Sequence, residues 1–90
     1  MRVRRDSRSR VLKDGVIIQG ISRSEISCIL RNQSESGAEL KVSPDAHIPD
    51  SFELYVPLDG IAYSCVLRWR RNERVDVEFV GRGPKPKFHY

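Results

Sequence analysis

Apolar and polar residues alternate with a period of two along almost the whole chain, in runs at 16–18, 26–30, 38–42, 52–56, 61–69 and 75–79. Successive side chains of a β-strand point to opposite faces, so this spacing is typical of strands that bury one face. The apolar residues that share a face are, run by run, Val16 and Ile18; Ile26, Cys28 and Leu30; Ala38, Leu40 and Val42; Phe52, Leu54 and Val56; Ile61, Tyr63, Cys65, Leu67 and Trp69; Val75, Val77 and Phe79.

Turn-forming residues separate these runs. Asp59-Gly60 is a favoured hairpin pair between the fourth and fifth runs, and Asn72-Glu73 is expected to form the next turn. Residues 43–47 could form a single helical turn, and nothing longer is supported. The pattern therefore predicts an all-β fold, a six-stranded antiparallel β-barrel, whose closure removes the exposed edges of so small a sheet.

The basic residues are concentrated at the two ends of the chain. The net charge is +5 over residues 1–13, −4 over 14–80 and +3 over 81–90. We expect a flexible arginine-rich arm at 1–10, a single barrel domain at 11–80, and a short basic tail rich in Pro and Gly at 81–90. This distribution favours a local anion site formed by the arm over a uniformly basic surface for nucleic acid.

The chain is expected to be a cytoplasmic protein without membrane insertion. No apolar run exceeds three residues, so neither a membrane-spanning helix nor the core of a signal peptide is predicted. Cys28 and Cys65 are accordingly expected to be buried free thiols, although a disulfide stays open if they face each other across the core.

Two short polar segments stand out by their order and position. Arg4-Arg5-Asp6-Ser7-Arg8 belongs to the arm, and Asn32-Gln33-Ser34-Glu35-Ser36-Gly37 joins the second run to the third. Each is common by itself, because arginine-rich termini are often plain solvated arms and Asn, Ser and Gly favour turns. In a small barrel, however, the arm and the end of the second strand can meet on one outer face. Together they predict a ligand clamped between the arm and the barrel.

The two segments resemble the RxxxR and (D/N)xSxxG signature of the PilZ domain family. The resemblance runs from about Arg4 to Val80 and includes Gly-Ala-Glu-Leu at 37–40, Val-Leu-Arg-Trp-Arg at 66–70 and Val-Asp-Val-Glu-Phe at 75–79. It implies a PilZ-like split barrel that binds the bacterial second messenger cyclic di-GMP. It also implies a signal to a downstream protein partner that controls motility, exopolysaccharide production or biofilm formation.

The chemistry of these residues suits such a ligand. Arginine pairs with phosphate, stacks on purines and donates two hydrogen bonds to the O6 and N7 acceptors of guanine. The carbonyl of Asn32 can accept from guanine N–H groups, Ser34 offers a hydroxyl, and Gly37 permits a positive φ and leaves the ligand's path clear. By the resemblance, the ligand-binding residues are Arg4, Arg5, Arg8, Asn32, Ser34 and Gly37.

Three features depart from the family pattern. Asp76 stands where the family often has Gly, Asn32 replaces the commoner Asp, and the basic tail takes the place of a C-terminal helix. None of these departures rules out binding. A PilZ-like module that contacts proteins without binding the nucleotide stays open as an alternative, and the intact motif counts against it.

A small barrel that binds single-stranded nucleic acid is a further alternative. That mode needs exposed aromatic rings among basic residues. Tyr55 alone among the strand aromatics is predicted to point outward, whereas Trp69 is expected to pack inside the barrel. The arginines of the last hairpin, at 68, 70, 71 and 74, are expected to form a solvated edge, and a patch that docks a partner or contacts phosphate stays open as an alternative. No nucleophile–base pair or metal cluster is evident, so neither an enzyme nor a cofactor is expected.

Overall fold

The computed structural model describes residues 8–20 and 24–85. The described residues form six antiparallel strands, hydrogen-bonded into a closed ring in which the third strand lies beside the sixth and the first beside the fourth. The prediction of an all-β fold with six antiparallel strands is therefore confirmed. The strands are β1 (Ser9–Gln19), β2 (Ser24–Gln33), β3 (Gly37–Lys41), β4 (Ser51–Val56), β5 (Ile61–Arg71) and β6 (Arg74–Gly83).

The strands run slightly beyond the predicted limits of the barrel. β1 begins at Ser9, and β6 ends at Gly83. Ser9 and Arg10 of the predicted arm thus belong to a strand, as do residues 81–83 of the predicted tail. Arg8 precedes β1 and is described, whereas residues 1–7 of the arm lie outside the described part of the chain, as do residues 86–90.

The ring is closed by a short seam. β1 pairs with β2 along its length, but it pairs with β4 only at Val16, Ile17 and Ile18. Among the described strands, the first half of β1, residues 9–15, is therefore paired with β2 alone. This leaves a gap in the sheet beside that half of β1.

Apolar side chains fill the interior of the ring, largely on the predicted faces. The most deeply buried include Leu30, Leu40 and Leu54. On β1 it is Ile17 that joins this core, whereas Ile18 packs in a separate cluster. The other large side chains that are fully buried are those of Ile17, Val56, Cys65, Val75 and Val77.

Both cysteines are free thiols buried in the core, as expected. Burial raises the pKa of Cys28 and of Cys65 to about 12. Each thiol is therefore protonated at neutral pH and unreactive as a nucleophile.

A bulge in β5 moves Trp69 out of the interior. Leu67 faces Val77, but Trp69 faces Asp76, so β5 has one residue more than β6 between these two pairs. The extra residue inverts the alternation that follows it. Trp69 is 46% exposed on the outer face, and the prediction that it packs inside the barrel is wrong.

Tyr55 lies on the outer face, as its alternation with Leu54 and Val56 predicts, yet it is not available as an exposed ring. It packs with Ile18 and Ala62 in a small cluster separate from the core. This leaves only 9% of Tyr55 exposed. Tyr55, which the sequence predicts to be exposed, is therefore buried, whereas Trp69, which it predicts to be inside the barrel, is exposed.

The turn residues behave as predicted. Gly60 has a φ of 68° in the β4–β5 turn, and Asn72 has a φ of 55° in the β5–β6 turn. Residues 43–47 form a turn in which the Ala46 N–H donates to the Ser43 carbonyl at 3.0 Å. The positive φ values of Gly60 and Asn72 suit these residue types, because Gly and Asn enter the left-handed region at little cost.

The expectation of a solvated edge around the last hairpin is wrong for Arg70. β5 and β6 each have a hydrogen-bonded strand on both sides, so neither is an edge. The Arg70 guanidinium donates to the backbone carbonyls of Ser43, Pro44 and Ala46. It therefore holds the 43–47 turn against the end of the ring.

Candidate functional site

A row of polar and aromatic side chains crosses the outer face of five strands. The strand register places Arg10 opposite Asn32, Asn32 opposite Glu39, Glu39 opposite Asp76, and Asp76 opposite Trp69. Residues directly opposite each other on antiparallel strands project to the same face. We call Arg10, Asn32, Glu39, Asp76 and Trp69 the outer row.

Register shifts flank the outer row. They lie between Arg10 and Lys13 on β1, between Leu30 and Asn32 on β2, and between Leu67 and Trp69 on β5. A bulge changes which face the following side chains point to, and bulges are common next to functional sites. Here the bulges on β2 and β5 bring Asn32 and Trp69 into line with the two acidic residues between them.

Arg8 lies over this row. Its Nη1 donates to Asn32 Oδ1 at 3.1 Å and to Asp76 Oδ1 at 2.7 Å. Its side chain is 24% exposed, and that of Asp76 is 12% exposed. Arg8 and Asn32, one from each predicted motif and 24 positions apart in the chain, are therefore in direct contact.

Gly37 is the third predicted residue at this place. A Cβ at Gly37 would collide with the backbone carbonyl oxygen of Val77 and lie 3.1 Å from Arg8 Nη2. The φ of Gly37 is not positive, so the expectation of a positive φ is wrong. Glycine is needed because β6 and the Arg8 guanidinium approach the backbone closely.

Ser34 shapes the turn between β2 and β3. Its backbone N–H donates to the Gly37 carbonyl at 2.9 Å, and its Oγ accepts from the Ser36 N–H at 3.2 Å. The Phe79 N–H donates to the Ser36 carbonyl at 2.8 Å and so fixes the turn against β6. Ser34 thus has a structural role in presenting the motif. Arg4 and Arg5, the other predicted ligand residues, lie outside the described residues.

Glu39 explains why an amide stands at position 32. Asn32 Nδ2 donates to Glu39 Oε1 at 2.8 Å, and Arg74 Nε donates to Glu39 Oε2 at 2.5 Å. The hydrogen bond from Arg74 lowers the pKa of Glu39 against the opposing effect of burial. An Asp at position 32 would place a second carboxylate against Glu39, so the Asn found here is the compatible choice.

Asp76, Glu39 and Trp69 are members of the site that sequence reasoning did not assign to it. Asp76 was noted only as a departure from the family pattern. Alternation does place Glu39 and Asp76 on outward faces, but their neighbours depend on the register between strands. Trp69 could not be placed without the bulge in β5.

A groove with a volume of about 690 Å³ runs beside the outer row. Ligand-binding pockets in proteins commonly have volumes of about 300–1,000 Å³. The groove is lined by Arg10, Arg31, Asn32, Glu39 and Arg74, among others. It offers guanidinium groups on both sides of the Asn32 amide.

A second polar network fills the gap beside the first half of β1. Lys13 Nζ donates to Gln33 Oε1 and to Asp59 Oδ1, both at 2.8 Å. The Tyr63 hydroxyl donates to Asp59 Oδ2 at 2.8 Å, and Gln33 Nε2 donates to the same oxygen at 3.1 Å. We call Lys13, Gln33, Asp59 and Tyr63 the gap network. It joins β1 and β2 to the β4–β5 turn and to β5.

The titration of the gap network reflects its enclosure. Burial by itself raises the pKa of Asp59, but hydrogen bonds from Lys13, Tyr63 and Gln33 outweigh it, and the pKa is lowered. Burial and the neighbouring Asp59 raise the pKa of Tyr63 to about 12. At neutral pH the network therefore contains a charged Asp59 and a neutral Tyr63.

Residues 8–20 and 24–85 contain no group of three His, Cys, Asp or Glu side chains that could hold a metal ion. The same residues include no helix long and apolar enough to cross a membrane. No protein family model matches the chain, and no curated protein is significantly similar to it. The function therefore has to be argued from the site itself.

Proposed function

We propose that this protein is a cytoplasmic, non-enzymatic receptor that binds cyclic di-GMP on its outer face and signals to a downstream protein partner. The observation that carries the proposal is the convergence of Arg8, Asn32 and Gly37. Arg8 Nη1 lies 3.1 Å from Asn32 Oδ1, and Arg8 Nη2 lies 3.1 Å from the position of a Cβ on Gly37. These residues come from both predicted motifs, and the motifs would serve one site.

The fold would be a PilZ-like split barrel. The gap beside the first half of β1, with the arm leading into that same half, supports this interpretation. Arg4 and Arg5, which belong to the same motif as Arg8, are proposed as further ligand contacts. A fold alone does not define a function, and the proposal rests on the site.

The outer row offers the chemistry that such a ligand requires. The Arg8 guanidinium can pair with a phosphate or with the O6 and N7 edge of guanine. The exposed indole of Trp69 offers a flat face on which a base can stack. Four inter-strand spacings of about 4.8 Å separate Arg10 from Trp69 along the sheet. A ligand with two bases and two phosphates could therefore contact several members of the row at once.

A protein-interaction module that does not bind the nucleotide is the second candidate. The Arg8–Asp76 ion pair favours it, because the arginine already has an anionic partner within the chain. In this case the exposed Trp69 and its neighbours would contact a protein directly.

The test is calorimetric titration of the protein with cyclic di-GMP, with GTP and cyclic di-AMP as controls. Saturable binding that is specific for cyclic di-GMP is expected, and its stoichiometry would distinguish one bound molecule from a stacked pair. The Arg8→Ala variant should bind at least about tenfold more weakly, because a charge-assisted contact is lost.

Lys85→Ala is the matched control. Lys85 is exposed beyond the end of β6 and does not line the groove, so its removal changes the net charge by the same amount outside the motifs. Circular dichroism would verify that both variants are folded. No binding by the wild-type protein would exclude the receptor function, and equal weakening by both variants would reduce the role of Arg8 to general charge.

A further inference from the structure

We propose that Asp76 is an internal competitor for Arg8 and keeps the affinity of the site for its anionic ligand low. The inference rests on the proposed function, because it concerns the ligand that Arg8 would bind. In the ligand-free protein the Asp76 carboxylate is paired with the Arg8 guanidinium, which is the group that a phosphate or a guanine edge would have to contact. Ligand binding then requires an exchange of partners at Arg8.

The geometry of the ion pair supports this competition. Arg8 Nη1 lies 2.7 Å from Asp76 Oδ1, a distance typical of a charge-assisted hydrogen bond. The same Nη1 also donates to Asn32 Oδ1. The Arg8 guanidinium and the Asn32 carbonyl, both proposed ligand contacts, therefore already bind within the chain.

Each of the two carboxylates of the outer row is paired with an arginine. Arg8 faces Asp76, and Arg74 faces Glu39. An incoming phosphate would meet two carboxylates next to the arginines that attract it, and like charges at a binding surface cost affinity. A chain with glycine at position 76 would lack one of these carboxylates and leave Arg8 more available.

Arg68 provides an alternative partner for Asp76. Its Nε lies 4.0 Å from Asp76 Oδ2, whereas Arg8 Nη1 donates to Oδ1, and the Arg68 side chain is 55% exposed. It also forms an ion pair with Glu78 at 3.4 Å. When the ligand takes Arg8, Arg68 can compensate the charge of Asp76. The exchange therefore leaves no carboxylate without a cation beside it.

The experiment compares the cyclic di-GMP affinity of the wild-type protein and of Asp76→Asn. Asn keeps the shape and an acceptor oxygen but removes the charge. We expect the dissociation constant to fall about tenfold, the order of one charge-assisted hydrogen bond. In the Arg8→Ala background the same substitution should produce no gain, because the group for which Asp76 competes is absent.

Glu53→Gln is the matched control, since it removes one negative charge from an exposed position on β4, a strand that contributes no residue to the outer row. We expect it to change affinity less than about twofold, as surface charges contribute little. An equal gain from Glu53→Gln would overturn the inference in favour of a general charge effect.

The remaining outcomes separate the inference from the proposed function. If wild type and Asp76→Asn bind equally, or the variant binds more weakly, the receptor function stands and the inference is overturned. If neither folded protein binds cyclic di-GMP, the proposed function fails and the competition fails with it. If only Asp76→Asn binds, the inference is supported and the native chain is not a receptor.

Discussion

The outer row and the gap network use the same kinds of side chain but distribute their hydrogen bonds differently. In the gap network, Asp59 alone accepts from Lys13, Gln33 and Tyr63. On the outer face, each carboxylate has an arginine close by, and the side chain of Arg74, the partner of Glu39, is 65% exposed. A carboxylate that accepts from three donors ties several strands together, whereas an ion-paired arginine that is also in contact with water can exchange one partner for another.

This difference follows from the position of each network in the ring. The gap network lies where β1 has lost its second neighbouring strand, so side chains there take over a connection that backbone hydrogen bonds make elsewhere. The outer row lies on continuous sheet that is already held by its ladder of hydrogen bonds. Its side chains are therefore not needed for closure and are available for a ligand.

The sharpest test of this comparison is removal of each acidic residue. Asp59→Ala should lower the free energy of unfolding by about 2–4 kcal/mol, because three donors lose their acceptor at once. Asp76→Ala should cost less, about 1–2 kcal/mol, because Arg8 keeps its hydrogen bond to Asn32 and is in partial contact with water. Urea denaturation measures both values. Equal costs would show that the two networks do not differ in this way.

A smaller effect on stability is expected at Gly37, where neighbouring atoms leave no space for a side chain. Gly37→Ala should cost about 1–3 kcal/mol, because the new methyl group has to displace the Val77 carbonyl of β6. Gly20→Ala is the control, since no atom of the residues that the structure describes lies within 4 Å of a Cβ built there. Thermal unfolding of the two variants would compare them. A Gly37→Ala protein as stable as Gly20→Ala would contradict the close approach of β3 and β6.

Acid should weaken both networks. Glu39 and Asp59 have lowered pKa values in the folded protein. Such groups stabilise the fold above their unfolded-state pKa of about 4, and the contribution is lost as the pH falls through the folded-state pKa. Stability should therefore change little between about pH 7 and pH 5 and fall below about pH 4. Asp59→Asn should show a shallower fall, and a parallel curve would exclude Asp59 as a source.

The smallest effect is expected at the bulge in β5. Trp69→Ala should lower the free energy of unfolding by about 1 kcal/mol, because nearly half of the residue is already exposed and only part of its packing is lost. Leu67→Ala should cost about 2 kcal/mol, because Leu67 packs against the core. Chemical denaturation followed by far-ultraviolet circular dichroism would compare the two. A cost for Trp69 as large as that for Leu67 would argue for an indole in the interior.

Local sequence pattern was sufficient for the strands but not for the site. Alternation identifies each run because it is a property of one strand, and Asp59-Gly60 and Asn72 are turn signals that act within a few residues. The bulge beside Trp69 depends on how β5 pairs with β6, so it cannot be found from β5 alone. For this reason the pattern placed the aromatic ring on the wrong side of the sheet.

Part of the candidate site could be predicted from the sequence. Arg8, Asn32 and Gly37 follow from motif and chemistry, and the structure brings them together. The acidic members, Glu39 and Asp76, could not be assigned, because the register of β2, β3 and β6 determines which residues lie beside them. The ion pair between Arg8 and Asp76 joins residues 68 positions apart, so no pattern within one strand reveals it.

Trp69 is the one tryptophan of the chain, so its position decides what the intrinsic fluorescence of the protein reports. An indole that is 46% exposed already emits from a largely aqueous environment in the native state. Its emission maximum should shift little when the ring of strands unfolds, so fluorescence would underestimate the transition. The same indole faces Asp76 across the strand pair, and a purine stacked on it would quench the emission. The native fluorophore is therefore a poor probe of folding and a direct probe of occupancy on the outer face.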